Sequence, residues 1–418
     1  KQCGRLGWQR DCAPAGLRGT MAKRQAGSAT QAADLRDRVQ DALRRCVPMV
    51  AGLAHNAEAL VQVSGGASAL LHRVDAELAM KDGGTCRLCL RRRRVAKAAP
   101  PPTKGKLQLP TALSTMEAEA EVMRAARARC GAVPAVVGVL PPGDPLGSGF
   151  FMEWVLGEGR GERIAGSPDF AQIRETGFLG RQCGEALAQI QSVDLEPLQQ
   201  LLPVGPSSPH EYLERLRKEY DVVGLCRPAL DFTFAWLAAR APPALPEDAP
   251  VLVHGDFRSA NIMAHEERGL AGVIDWELAH AGNRYEDIGW ICVRAWRYGQ
   301  LSRPVGGFGS LADFCEGYEG AGGRPVDHAT VEWWALVGSV RWALLCLQQG
   351  IGFRDGLLPL ENGVVGRRTS EAEIDCLCTV AEVAGGGLET VLSGAGTPGG
   401  VAGGGGGFPS NALLVLGA

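Results

Sequence analysis

Between residues 251 and 287, short apolar runs alternate with polar stretches at a spacing that calls for a strand, a loop and a hairpin in close succession. Residues 251–253 (Val-Leu-Val) read as a strand, and His254-Gly255-Asp256 puts a turn directly after it. Residues 262–263 resume the apolar pattern, 265–269 form a polar turn, and 271–274 are a second apolar run with Asp275 at its end. In this arrangement the carboxylates of Asp256 and Asp275 converge on one point. Taken singly, each residue is ordinary: His-Gly-Asp is a common turn, Asn261 suits a turn, and Asp275 suits a strand-end cap. The order, and the 14 positions from Asn261 to Asp275, argue for more. Two carboxylates and a carboxamide in one place are the groups that phosphoryl transfer uses. They supply oxygen ligands for Mg²⁺ and a carboxylate to take the proton of an attacking hydroxyl.

The longer string HGDFRSANIM followed by GVIDWELAHAGNRYEDIGW resembles the catalytic and metal loops of the aminoglycoside phosphotransferase and choline kinase-like family. Within it, the phosphotransferase domain fused to some acyl-CoA dehydrogenases looks most similar. The resemblance implies an α+β, protein-kinase-like fold of two lobes, a small antiparallel β lobe with one helix and a larger, mostly helical lobe, with ATP in the cleft between them. It implies Asp256 as catalytic base, Asn261 and Asp275 as Mg²⁺ ligands, and His254 as a brace of the loop. Glu277 is read as touching substrate or a second metal. Asp287 is read as capping or bracing a helix that begins near Ile288.

Upstream, residues 59–63 and 69–74 flank Ser64-Gly65-Gly66-Ala67-Ser68, a strand, Gly-rich turn and strand whose backbone amides can cover phosphates. By resemblance Gly65, Gly66 and Ser68 bind the nucleotide, although Ala69 stands where relatives carry Asn. Arg91, after the strand at 87–90, matches the cation that holds the α- and β-phosphates. The run of four Arg at 91–94 equally suits a solvated strand end. Glu119, in a helix expected over 116–130, matches the partner of that cation, while Glu117 and Glu121 beside it suit an exposed charged face. Backbone near Glu153 and Val155 would hold the adenine.

The expected organisation is a leader and N-terminal helix over 1–54, an ATP-binding lobe over 55–156, a catalytic helical lobe over 157–384, and a Gly-rich tail over 385–418 that cannot bury a core. A helix is expected over 34–50, one long helix carries Ile173 to Ile190, and another runs from about Ile288 to Tyr298. Residues 1–30 hold six Lys or Arg against Asp11 alone, a bias shared by transit peptides. A net charge of −3 argues against a general nucleic-acid binder, and no apolar run reaches the length of a membrane span. Thirteen cysteines without a framework pattern fit reduced thiols in a cytoplasmic or organellar compartment, and Cys86-x-x-Cys89 lacks a partner pair at zinc spacing.

For the small-molecule partner, the resemblance implies a hydroxyacyl-CoA or, in the wider group, an amino alcohol or aminoglycoside. Asp313, Glu316, Glu319 and Glu332 interleaved with Arg294, Arg297, Arg303 and Arg341 give a mixed charge pattern that leans away from a polycation. Two rival readings stand beside the enzyme. One is a binding module that keeps the fold, motivated by the altered Gly-rich loop and by Arg where Lys is common. The other is a protein kinase, disfavoured because no Ala-Pro-Glu follows Asp275.

Overall fold

The computed structural model describes residues 33–56, 58–63, 69–79, 84–93, 112–206, 208–244 and 249–384. The turn carrying Gly65, Gly66 and Ser68, the basic leader and the Gly-rich tail lie outside the described residues. The chain divides into two compact units at residues 95/96, 136/137 and 153/154.

In the first unit a helix at residues 33–46 (α1) packs on a six-stranded sheet. Its strands are β1 (Val50–Leu53), β2 (Leu60–Val63), β3 (Ala69–Leu78), β4 (Thr85–Arg93), β5 (Val136–Val139) and β6 (Gly149–Glu153). They lie in the order β1-β3-β4-β6-β5, and β2 pairs with the other half of the β3 edge that β1 occupies. Val39, Ala42 and Leu43 recur at helical spacing and share one core with Val74, Leu90 and Phe151. The helix ends at residue 46, short of the expected 50, because Pro48 disfavours helical backbone at Val47. In the β4 register Arg91 sits opposite Leu71 on one side and Phe150 on the other. Cys86 and Cys89 are three apart on β4 and therefore face opposite sides of the sheet, which rules out a shared ion.

The second unit is mostly helical. It begins with α2 (Met116–Arg129), α3 (Gly161–Gly166), α4 (Ala171–Glu175), α5 (Phe178–Gln191), α6 (Pro209–Val223) and α7 (Pro228–Ala238). Two small ribbons follow, β7 (Val251–Val253) with β10 (His280–Gly282), and β8 (Ile262–His265) with β9 (Gly269–Val273). The chain then forms α8 (Tyr285–Ile291), α9 (Leu311–Gly320), α10 (His328–Arg354), α11 (Leu360–Gly366) and α12 (Thr369–Val383). Two expectations need correction. The long helix through Ile173 is two, α4 and α5, broken at Gly177 with φ of 70°, where a Cβ would come within 2.3 Å of the Asp313 carboxylate. The helix expected near 288–298 starts earlier and stops at Ile291, followed by a 3₁₀ turn at Arg294–Trp296 and by Tyr298 with φ of 47°. This turn swings Trp296 back against Trp290, with ring centroids 5.3 Å apart.

Candidate active site

The site grows from the end of β7. Leu252 and Val253 are fully buried, and β10 pairs antiparallel along the strand. The chain leaves the ribbon at His254 and turns through Gly255, whose φ is 82° and where a Cβ would lie 2.3 Å from the Leu278 carbonyl oxygen. Only glycine fits such a turn without strain. The backbone N–H groups of His254 and Gly255 donate to the two carboxylate oxygens of Asp287, at 2.7 and 3.0 Å. Asp287 is fully buried within α8, and burial pushes its pKa up while His254 and the two amides oppose that shift. Its partner is therefore the loop at 254–255 rather than the start of the helix on which it sits.

His254 is also fully buried. The N–H of Asp256 donates to its Nδ1 at 3.2 Å, so Nδ1 is the bare nitrogen and Nε2–H donates to the Ile274 carbonyl at 3.1 Å. Burial holds its pKa below the ordinary histidine value, which keeps this neutral tautomer. The imidazole thus ties the turn to the end of β9, and its ring lies edge-on to Trp276 at 4.7 Å.

Asp256 projects from this frame. Its Oδ1 accepts from Trp290 Nε1 at 2.7 Å and from Arg258 Nε at 2.9 Å, and its Oδ2 accepts from Asn261 Nδ2 at 2.7 Å. A second bond from Asn261 Nδ2 to the Asp256 carbonyl, at 2.9 Å, fixes the amide and leaves Oδ1 of Asn261 as its outward acceptor. The hairpin does the rest. Ile262 pairs with Val273, and Ile274 N–H donates to the Asn261 carbonyl at 3.0 Å, so Asp275 is the next residue across from Asn261. Asp275 adopts φ of 69°, one of two non-glycine residues with positive φ among those described. Left-handed backbone costs about 1–2 kcal/mol for a residue with a Cβ. Such strain persists where the surroundings over-determine it, often at functional sites. The hairpin thus sets the backbone of Asp275 beside that of Asn261, and the charges of Asp256 and Asp275 both act on His254.

The other expected residues are placed as follows. Glu277 is half-buried, and its carbonyl accepts from Leu113 N–H at 2.8 Å. Arg91 is 4% exposed, unlike the exposed Arg93 two residues on, and Glu119 is 3% exposed while Glu121 is exposed. A solvated strand end and a charged helix face therefore do not describe them. Glu153 is exposed at the end of β6, and Val155 packs its methyl groups against Gly272.

Sequence reasoning missed Arg258, Trp290 and Arg341. Arg341, buried in α10, donates to the Gly255 carbonyl at 2.9 Å and lies 4.3 Å over the Trp290 ring. Trp290 follows Asp287 by three residues in α8, and residues at that spacing share a helix face. That spacing, with Asp287 already singled out, was the available signal.

A turn presenting a bonded carboxylate, with an amide and a second carboxylate carried by a hairpin, on an α+β scaffold, is an arrangement that a kinase-like phosphotransferase can use. Residues 62–323 match the phosphotransferase enzyme family (APH), and the chain belongs to that family. The family is one of phosphotransferase enzymes. Acyl-CoA dehydrogenase family member 11 of Gallus gallus is 35% identical over 134 residues, which span 31% of this chain and 17% of that protein. A candidate aminoglycoside phosphotransferase from Ralstonia eutropha superposes with a TM-score of 0.58 at 21% identity, covering 81% of this chain and 96% of that one. The GDP and kanamycin complex of an aminoglycoside 2″-phosphotransferase superposes with a TM-score of 0.51 at 16% identity, covering 80% and 97%. These two structures share the kinase-like fold with this chain.

Proposed function

We propose that this chain moves the γ-phosphoryl group of ATP to a hydroxyl of a small molecule, with Asp256 as the base. The observation that carries the reading is the Asp256 carboxylate, held at both oxygens by Trp290, Arg258 and Asn261. A carboxylate has about four lone-pair sites, and three donors leave one for the alcohol. The alcohol oxygen attacks the γ-phosphorus, the bond to the β–γ bridging oxygen breaks, and ADP leaves with that electron pair. The alcohol proton passes to Asp256.

The residues present fit Mg²⁺. Among the described residues no cluster of three or more His, Cys, Asp or Glu forms a ready-made cage. Mg²⁺ in kinases is instead held by one or two protein oxygens together with water and nucleotide phosphates. Asn261 Oδ1 and the Asp275 carboxylate are hard oxygen donors of that kind, and the bound ion would neutralise phosphate charge. Arg91 would serve the α- and β-phosphates, Glu119 would keep the role of that cation's carboxylate partner that the resemblance implies, Gly65, Gly66 and Ser68 would cover the phosphates, and backbone at Glu153 and Val155 would hold the base. His254 and Asp287 would brace the loop, and Glu277 would touch the acceptor or a second metal.

The acyl-CoA dehydrogenase relative favours a hydroxyacyl-CoA acceptor over an amino alcohol or aminoglycoside. No described helix is long and apolar enough to cross a membrane, and every described cysteine is a free thiol, which suits a reducing, cytoplasmic setting. The test is nucleotide consumption, with ATP and GTP, over a panel of hydroxyacyl-CoAs, amino alcohols and aminoglycosides. Asp256→Asn should lower turnover by about 10²–10⁴-fold. Binding of nucleotide with no turnover on any acceptor, unaltered by that substitution, would instead mark a binding module.

A further inference from the structure

We infer that Arg258 is a catalytic residue that grips the phosphoryl group in flight, a role that rests on the phosphotransfer reading above. Its neighbour uses little of the guanidinium. Some Arg of this chain meet one carboxylate through two nitrogens, while Arg87 and Arg354, both more exposed than Arg258, spend one. Arg160 meets Glu158 through Nε and Nη2 at 3.1 and 3.0 Å, and Arg368 meets Glu371 through Nε and Nη2 at 3.0 and 2.9 Å. Arg258 spends only Nε on Asp256. Its two Nη groups make no hydrogen bond among the described residues, and the side chain keeps 26% of its surface accessible. Those paired N–H groups are the part of a guanidinium that matches two oxygens of one phosphoryl group.

The fork is also aimed. Its carbon lies 4.7 Å over the Trp296 ring, and Trp296 is held in turn, because its carbonyl accepts from Ser259 Oγ at 3.1 Å. Asp256 fixes one edge of the guanidinium and Trp296 fixes its face, so the Nη edge is presented without freedom to swing. Because Nε is bonded to the carboxylate that receives the alcohol proton, the Nη groups lie beside the line along which the γ-phosphoryl group must pass. There the charge spread over its equatorial oxygens is greatest, and a preorganised cation acts most strongly on it. A residue that only set the Asp256 rotamer would leave the transition-state charge untouched.

The experiment uses a planar mimic of the transferring group, aluminium fluoride, with Mg²⁺ and ADP (or GDP, if GTP proves the donor). Calorimetry compares the affinity for the diphosphate with and without fluoroaluminate in the wild type, Arg258→Met and Arg258→Lys, with thermal unfolding as the check on folding. The wild type should bind at least tenfold more tightly when fluoroaluminate is added. Arg258→Met should bind Mg²⁺ and the diphosphate alone within twofold of wild type but lose at least tenfold of that gain. Arg258→Lys, a point charge without the fork, should keep part of it, and it decides the matter by the same measure should the Met variant not fold. Retention of the full gain in the variant overturns the proposal and leaves the phosphotransfer reading standing. No gain in the wild type overturns both.

Discussion

The sheet unit and the loop at 254–287 treat buried polarity in opposite ways. The sheet unit is organised around an apolar cluster of α1, β1, β3, β4 and β6 side chains, into which few polar groups intrude. Around the loop, His254, Asn261, His280, Glu286, Asp287 and Arg341 are all under 9% exposed. Burying a polar group is unfavourable unless each of its atoms finds a partner. Most of the partners are found: two amides on Asp287, two bonds on the His254 ring, and a carbonyl on Arg341 Nη2, although Arg341 Nε makes no hydrogen bond among the described residues. Apolar packing gives the sheet unit its stability without fixing any one atom. The polar frame gives less net stability per group and holds the Asp256 carboxylate by hydrogen bonds at both oxygens.

The largest expected effect separates the two. Asp287→Ala strands two buried backbone donors, at about 1–3 kcal/mol each. Val74→Ala in the sheet core removes only methyl groups and should cost about 0.5–3 kcal/mol. Denaturation in urea gives both figures. Turnover corrected for the folded fraction should fall only in Asp287→Ala. Equal activity losses in the two variants would mean that the polar frame does no positioning.

A matched pair of glycines sharpens the contrast. Gly143 and Gly255 have φ of 81° and 82°, but a Cβ at Gly143 would meet nothing within 4 Å, whereas at Gly255 it would press on the Leu278 carbonyl. Gly143→Ala should therefore cost about 1–2 kcal/mol from backbone strain alone. Gly255→Ala should exceed it in the same denaturation series and should also lower turnover, since Asp256 is the next residue. Indistinguishable midpoints for the two would show that the turn relaxes freely.

The loop was legible in the sequence because its information is local. The strand at 251–253, the turn, the hairpin and the position of Asp275 all follow from spacing within 25 residues. The α1 ending was legible in principle too, since Pro48 is its cause. What escaped notice depends on contacts between distant segments. Arg341 reaches Gly255 across 86 positions, and no periodicity within α10 marks it, because that helix is buried on most of its surface. The break at Gly177 answers to Asp313, on another helix. Arg91 and Glu119 look like members of charged runs, and only burial separates each from its neighbours.

The smallest effect sets two histidines against each other. His72, on β3, is 2% exposed and its Nδ1 makes no hydrogen bond among the described residues. Burial, with Arg92 adding to it, pulls its pKa down to about 4. His280 is as deeply buried, and burial pulls it down as well. The Glu286 charge, the 3.1 Å contact to Glu286 Oε2 and the 2.8 Å contact to the Leu278 carbonyl outweigh that, so its pKa is raised. Between pH 6.5 and about 4 the unfolded chain takes up a proton at residue 72 that the folded chain refuses, so stability falls as pH falls through that window. At residue 280 the folded chain holds the proton more tightly, so its contribution is complete below the ordinary histidine pKa and is lost as pH rises through the folded value. His72→Phe should flatten the acid side of a plot of urea midpoint against pH, leaving the part due to His254, whose pKa is also lowered. His280→Gln should flatten the neutral-to-alkaline side and leave the acid side in place. If both substitutions changed the same limb, the two buried histidines would not differ in charge, and the distinction between an unbonded ring in an apolar sheet and a doubly bonded ring beside the loop would have no energetic meaning.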